Sequence, residues 1–160
     1  MRFRNPTKQG MALRRTDVLL YKSIKTYIMS NNAFIVLQDD HQLLAKSLDT
    51  DTQFAALPEA EKKKIKTKLA NAQQVTAKDF PNNVSRLYDV ITIRNIRTRH
   101  NVQYRLVPPA ERDDWAGKIS AISPLGIALL GVVKGQSIVW QSGSKKNYYA
   151  VMEVRNAEYI

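Results

Sequence analysis

The chain has no cysteine among its 160 residues. That excludes disulfides, thiol catalysis and thiolate metal sites, and fits a cytoplasmic protein. Histidine is nearly as scarce. His41 and His100 stand far apart with no second ligand near either, so neither a zinc site nor a Ser-His-Asp arrangement has supporting spacing. Long apolar runs are missing too. The longest, from Ile127 to Val133, is interrupted by Gly131 and falls far short of a membrane span. The basic N-terminus lacks the apolar stretch of a secretory signal, so neither membrane nor export is expected. Acids are few, 14 against 25 Lys and Arg, for a formal net charge of +11. Such a field favours polyanions or an acidic protein surface as partner.

The charge is uneven. Residues 1–30 carry Arg2, Arg4, Lys8, Arg14, Arg15, Lys22 and Lys25 against one acid, Asp17. Residues 1–15 show no periodicity and read as a flexible basic arm able to contact nucleic acid, without sequence readout. From Thr16 the pattern Val18, Leu20, Ile24, Tyr27, Ile28 predicts a helix to about residue 30. Ala33 to Leu37 is a short apolar stretch readable as a strand or as a staple onto the next helix.

Residues 38–77 predict a helical hairpin. The first arm, about Asp39 to Leu48, is apolar at Leu43, Leu44 and Leu48, and Asp49-Thr50-Asp51-Thr52 makes the turn. Pro58 suits a first helical position, and Glu59 and Glu61 complement the helix dipole. Ile65, Leu69 and Ala72 form one stripe, while Lys62, Lys63, Lys64, Lys66 and Lys68 read as a solvated face. Arms this short bury too little to fold alone and should dock on the rest of the chain.

Phe80-Pro81-Asn82-Asn83 marks a boundary, beyond which the period changes from 3.6 to 2. Strands are expected around Ile91–Ile93, Val102–Leu106, Lys118–Ile122, Ile138–Trp140 and Ala150–Val154, in an antiparallel sheet. Ser142-Gly143-Ser144 should turn between the last two. Ser123 as N-cap, Pro124 at the first helical position and Gly131 as stop predict one short helix over the sheet. Tyr104, Trp140, Tyr148 and Tyr149 read as sheet packing before a base-stacking platform. The fold class is therefore α+β, with segments 1–15, 16–79 and 80–160.

Ser123-Pro124-Leu125-Gly126 with Ala128-Leu129-Leu130-Gly131, preceded by Phe80-Pro81-Asn82-Asn83, resembles the C-terminal domain of the bacterial GreA/GreB transcript-cleavage factors. It resembles most their short-hairpin relative, the regulator of nucleoside diphosphate kinase. The resemblance covers roughly residues 60–160. It implies an FK506-binding-protein-like sheet domain, preceded by an antiparallel coiled coil that enters the secondary channel of RNA polymerase. It implies Ser123, Pro124, Leu125 and Gly126 as the polymerase-binding loop. In cleavage-competent members, two acids at the coiled-coil tip help hold a Mg²⁺ shared with the polymerase.

The tip acids here would be Asp49 and Asp51. A register without gaps would instead put Asp39 and Asp40 there, but forces Pro58 into a helix interior at a cost of about 3 kcal/mol. The expectation is a monomeric, non-enzymatic elongation regulator that binds bacterial RNA polymerase without strong cleavage activity. The alternatives are a cleavage-stimulating factor using Asp49 and Asp51, a nucleic-acid-binding module using the arm, and a prolyl isomerase on the same sheet.

Overall fold

Two longer helices arise where the helical spacing of apolar residues places them. α1 (Gln38–Thr50) carries Asp39 and Asp40 in its first turn, where carboxylates offset the exposed N–H groups, and turns Leu44 into the core. It stops at Asp51, whose extended backbone cannot continue the helix. The single-turn α2 (Thr52–Ala55) follows, and α3 (Glu59–Ala70) buries Ile65 and Leu69. Pro58 stands just before the first residue of α3, with its carbonyl accepting from the Glu61 and Lys62 amides. These assignments come from a computed structural model that describes residues 34–142 and 144–157. The basic arm and the helix expected over 16–30 lie outside the described residues.

The stretch around Ala33–Leu37 resolves as a strand. β1 (Ile35–Leu37) pairs in parallel with β2 (Gln73–Val75), so the chain enters α1 and leaves α3 through one two-stranded sheet. The main sheet contains β3 (Val90–Asn95), β4 (Asn101–Val107), β5 (Lys118–Ser120), β6 (Ser137–Ser142) and β7 (Lys145–Arg155), in the order β5-β4-β3-β7-β6. The expectation of an all-antiparallel sheet is corrected at one edge, where β4 and β5 are parallel. Two 3-10 turns, Pro109–Glu111 and Asp114–Ala116, carry the chain back to start β5 in the direction of β4.

The last strand also departs from simple alternation. Ile91 faces Val154 and Ile93 faces Val151, so one extra residue in β7 forms a bulge opposite Thr92 and Ile93. Val151 and Val154 thereby share the core side although they are three residues apart. Ala150, which two-residue alternation would place beside Val154, falls on the other side.

The short helix α4 (Pro124–Leu129) buries Ile127 and Leu129. One core serves both halves of residues 34–157. Leu44, Phe54, Ile65 and Leu69 from the helices meet Ile91, Ile93, Leu106 and Ile138 from the sheet. Among the described residues, no helix is long and apolar enough to cross a membrane.

Candidate functional site

Helix α4 is held at its start by hydroxyl chemistry. Ser123 Oγ accepts from the Gly126 amide at 3.0 Å and donates to the Ser120 carbonyl at 2.7 Å. Its capping role is thus occupied on both sides. Gly126 is required by proximity: a Cβ there would lie 1.8 Å from the Ser120 carbonyl oxygen. Of the four residues expected to form a polymerase-binding loop, Ser123 and Gly126 therefore shape the loop. Pro124 and Leu125 remain half-exposed on it.

Pro124 opens onto a cleft of about 310 Å³ that joins this loop to the helical turn. On one side are Asp51, Gln53, Phe54 and Leu57, and on the other Arg112, Asp114, Ser123 and Pro124. Phe54 is buried in the common core, so the α1–α3 turn is seated beside the start of α4. Arg112 Nε and Nη2 grip Asp114 at 2.9 and 2.6 Å, and this hydrogen bonding holds the Asp114 carboxyl below its usual range. Arg112 is also electrostatically coupled to Asp51.

The two tip acids do different things. Asp51 Oδ2 accepts from the Phe54 amide at 2.9 Å and so caps α2. Asp49 is exposed near the end of α1. Among the described residues, no group of three or more His, Asp or Glu side chains could hold a metal ion. With one carboxylate committed to a cap and a guanidinium coupled to it, the turn by itself does not fit a Mg²⁺ site. Asp39 and Asp40 lie at the opposite end of the hairpin, where the α1 start meets the end of α3. His41 Nε2 lies 2.8 Å from the Leu69 carbonyl, and Asp40 Oδ2 accepts from the Leu87 amide at 3.0 Å. Burial pushes the Asp40 carboxyl up, against the pull of the Leu87 amide and Arg86.

Lys68 departs from the solvated lysine face. Lys62 pairs with Glu59 and Lys64 with Glu61 on the surface. Lys68 instead reaches inward, donates to the Ile127 carbonyl at 2.5 Å, and sits 4.6 Å from the Phe34 ring centroid. Burial pushes its ammonium down to about 8. Its position beside Leu69, three residues after Ile65, was the available signal, because that is the margin of the apolar stripe. Arg112 and Asp114 carried no comparable signal in the sequence. They reach the cleft only through the parallel return to β5.

Residues 81–156 match the family model for the C-terminal domain of the transcription elongation factors GreA/GreB. GreA of Pseudomonas aeruginosa is 31% identical over 99 residues, covering 61% of this chain and 63% of that protein. GreA of Thermotoga neapolitana is 41% identical over 66 residues, 41% of this chain and 42% of that protein. The matched region thus spans less than two thirds of these curated relatives. A solved GreA/GreB elongation factor from Nitrosomonas europaea superposes with a TM-score of 0.62 at 25% identity, covering 78% of this chain and 98% of that one. Residues 81–156 therefore form a C-terminal domain of the GreA/GreB transcription elongation factor family.

Proposed function

We propose that the protein binds bacterial RNA polymerase at the mouth of the secondary channel and regulates elongation without itself delivering a metal for transcript cleavage. It acts on the polymerase and is not an enzyme. Family membership supports the partner. The observation that carries the absence of cleavage is the seating of the hairpin turn. Phe54 is buried, Asp51 caps α2, and Pro124 and Arg112 line the cleft beside the turn. With 13 residues, α1 is about 20 Å long at 1.5 Å per residue, and its far end lies against the sheet domain. This resembles the short-hairpin relative more than a factor whose coiled coil projects into a channel. The polymerase contact is assigned to the loop shaped by Ser123 and Gly126, with Pro124 and Leu125 as its exposed members. The basic arm is assigned, on charge alone, an accessory nucleic-acid contact.

The test is transcript cleavage in a reconstituted, backtracked elongation complex, with a known cleavage factor as competitor. The expected result is no shortening by this protein and inhibition of the known factor. Shortened RNA, or neither polymerase binding nor inhibition, overturns the reading. Asp49 is the exposed acid that favours the second reading, a cleavage-stimulating factor. In that case shortening occurs and is lost in Asp49→Ala.

A further inference from the structure

The sheet has a second face that the core does not use. Ile91 and Ile93 are buried, so the residues between and beside them, Thr92 and Arg94, point away from the core. The register carries that face across the neighbouring strands. Arg94 stands opposite Asn101 and Ala150, and Thr92 opposite Gln103. Arg105 lies opposite Val90, on the same side as Thr92 and Arg94. In β7, Ala150, Tyr148 and Lys146 follow on this side, with Val139 directly across from Tyr148. Tyr148 is 52% exposed and Val139 53% exposed.

The β3–β4 turn extends the same edge. Asn95 Oδ1 accepts from the Arg97 and Thr98 amides, and the turn presents Arg97 and Arg99 to solvent. The Ile96 amide donates to the Tyr148 carbonyl at 3.0 Å, which ties this turn to the strand bearing the exposed ring. Arg94, Arg97, Arg99, Arg105 and Lys146 form no ion pair among the described residues. Glu153 is the carboxylate that the register places on the face. A surface shaped only for solubility intersperses both signs. This one sets five cations and one carboxylate, Glu153, on a face with an exposed aromatic ring.

We propose that this sheet face binds single-stranded RNA, with Arg94, Arg97, Arg99, Arg105 and Lys146 on phosphates and Tyr148 stacked on a base. Cations around an exposed ring match the two things a single strand offers together, a charged backbone and unpaired base faces. A duplex hides its base faces, and an acidic protein surface offers none. Thr92, Asn101 and Gln103 place hydroxyl and amide groups on the same face, with the Gln103 amide donating to Thr92 Oγ1 at 3.2 Å. Such groups can exchange hydrogen bonds with the 2′-hydroxyl that distinguishes RNA from DNA. Binding here would not depend on polymerase binding, and the residues named are other than those of the basic arm.

The experiment is fluorescence anisotropy of a short labelled oligouridylate with the full chain, over a salt series, beside a DNA strand of the same length. Binding to RNA should weaken steeply with salt. The double variant Arg97→Glu/Lys146→Glu should bind about tenfold more weakly or worse at low salt, with the slope of log affinity against log salt reduced by about 1.4. Tyr148→Ala should lose about fivefold or more with the slope unchanged. Circular dichroism and melting of each variant should match the parent, since all three side chains are on the surface. Parental affinity in the double variant overturns the proposal, as does loss of binding only when Arg2, Arg4 and Lys8 are replaced. Unchanged affinity in Tyr148→Ala overturns the stacking. Equal affinity for RNA and DNA overturns the assignment to RNA.

Discussion

Lys68 Nζ donates to the Ile127 carbonyl at 2.5 Å across 59 residues of sequence, joining α3 to the last turn of α4. The carbonyls of a final helical turn lack partners within the helix, so the partly buried ammonium supplies one. No carboxylate among the described residues pairs with it, and burial pushes it down to about 8 from 10.5.

That depression fixes a sign. Between pH 8 and 10.5 the unfolded chain holds a proton on Lys68 that the folded chain has released, so folding stability rises with pH across this window and levels off at its lower value below about 8. The gain is at most about 3 kcal/mol. Urea midpoints on the two sides of pH 8 should move apart in the parent protein and not in Lys68→Met. Equal pH dependence in both proteins would place the ammonium in solvent.

Gly126 gives a sharper steric prediction. Its α carbon approaches the end of β5 so closely that a methyl group would meet the Ser120 carbonyl oxygen at 1.8 Å and its carbon at 2.7 Å. Neither atom can move without breaking β5 or the α4 cap. Gly126→Ala should therefore cost about 3 kcal/mol or more. Ser123→Ala, which loses the cap but adds no clash, should cost about 1–2 kcal/mol. Thermal denaturation of both variants decides it, and similar losses would mean the close approach is relieved by a small loop shift.

What the sequence disclosed follows from range. α1 and α3 are written in local spacing, with Leu44, Ile65 and Leu69 at helical intervals and Pro58 marking a start. Ser123 and Pro124 mark α4 equally locally. The parallel pairing of β1 with β2 is not local. Ile35 meets Gln73 across the whole hairpin, β1 is uniformly buried and so shows no period, and Gln73-Gln74 carries no strand signature. The bulge in β7 hides in the same way. Whether Tyr148 or Tyr149 faces the core depends on an extra residue opposite Thr92 and Ile93, which alternation cannot count. The cleft at the hairpin turn needs the parallel β4–β5 return to deliver Arg112, and Lys68 is set apart from the other α3 lysines only by its place at the margin of the Ile65–Leu69 stripe.

Asp51 separates a capping role from a metal role. Asp51→Asn keeps an oxygen able to accept from the Phe54 amide, whereas Asp51→Ala removes it. The alanine variant should lose about 1 kcal/mol of stability and the asparagine variant only a few tenths. On the proposed reading, in which Asp51 caps α2 and carries no metal, both should still inhibit a known cleavage factor in a backtracked complex. Loss of that inhibition in Asp51→Asn at full stability would show that the charge itself acts on the polymerase.

Asp40 predicts a stabilising substitution. Its carboxylate accepts from the Leu87 amide at 3.0 Å, which ties the start of α1 to the chain entering β3. Burial raises its pKa, the Leu87 amide and Arg86 lower it, and Asp39 adds a further rise, with burial the largest influence. A folded-state pKa above the unfolded one means that this group's contribution is full below about pH 4 and declines as pH rises through the raised value. Asp40→Asn keeps an acceptor for Leu87 without the buried charge. It should melt higher than the parent at neutral pH, with the advantage shrinking as pH falls toward 4. Asp40→Ala leaves the Leu87 amide without its acceptor and should cost about 1–3 kcal/mol. An asparagine variant that melts below the parent at neutral pH would mean that attraction to Arg86 outweighs burial at this junction.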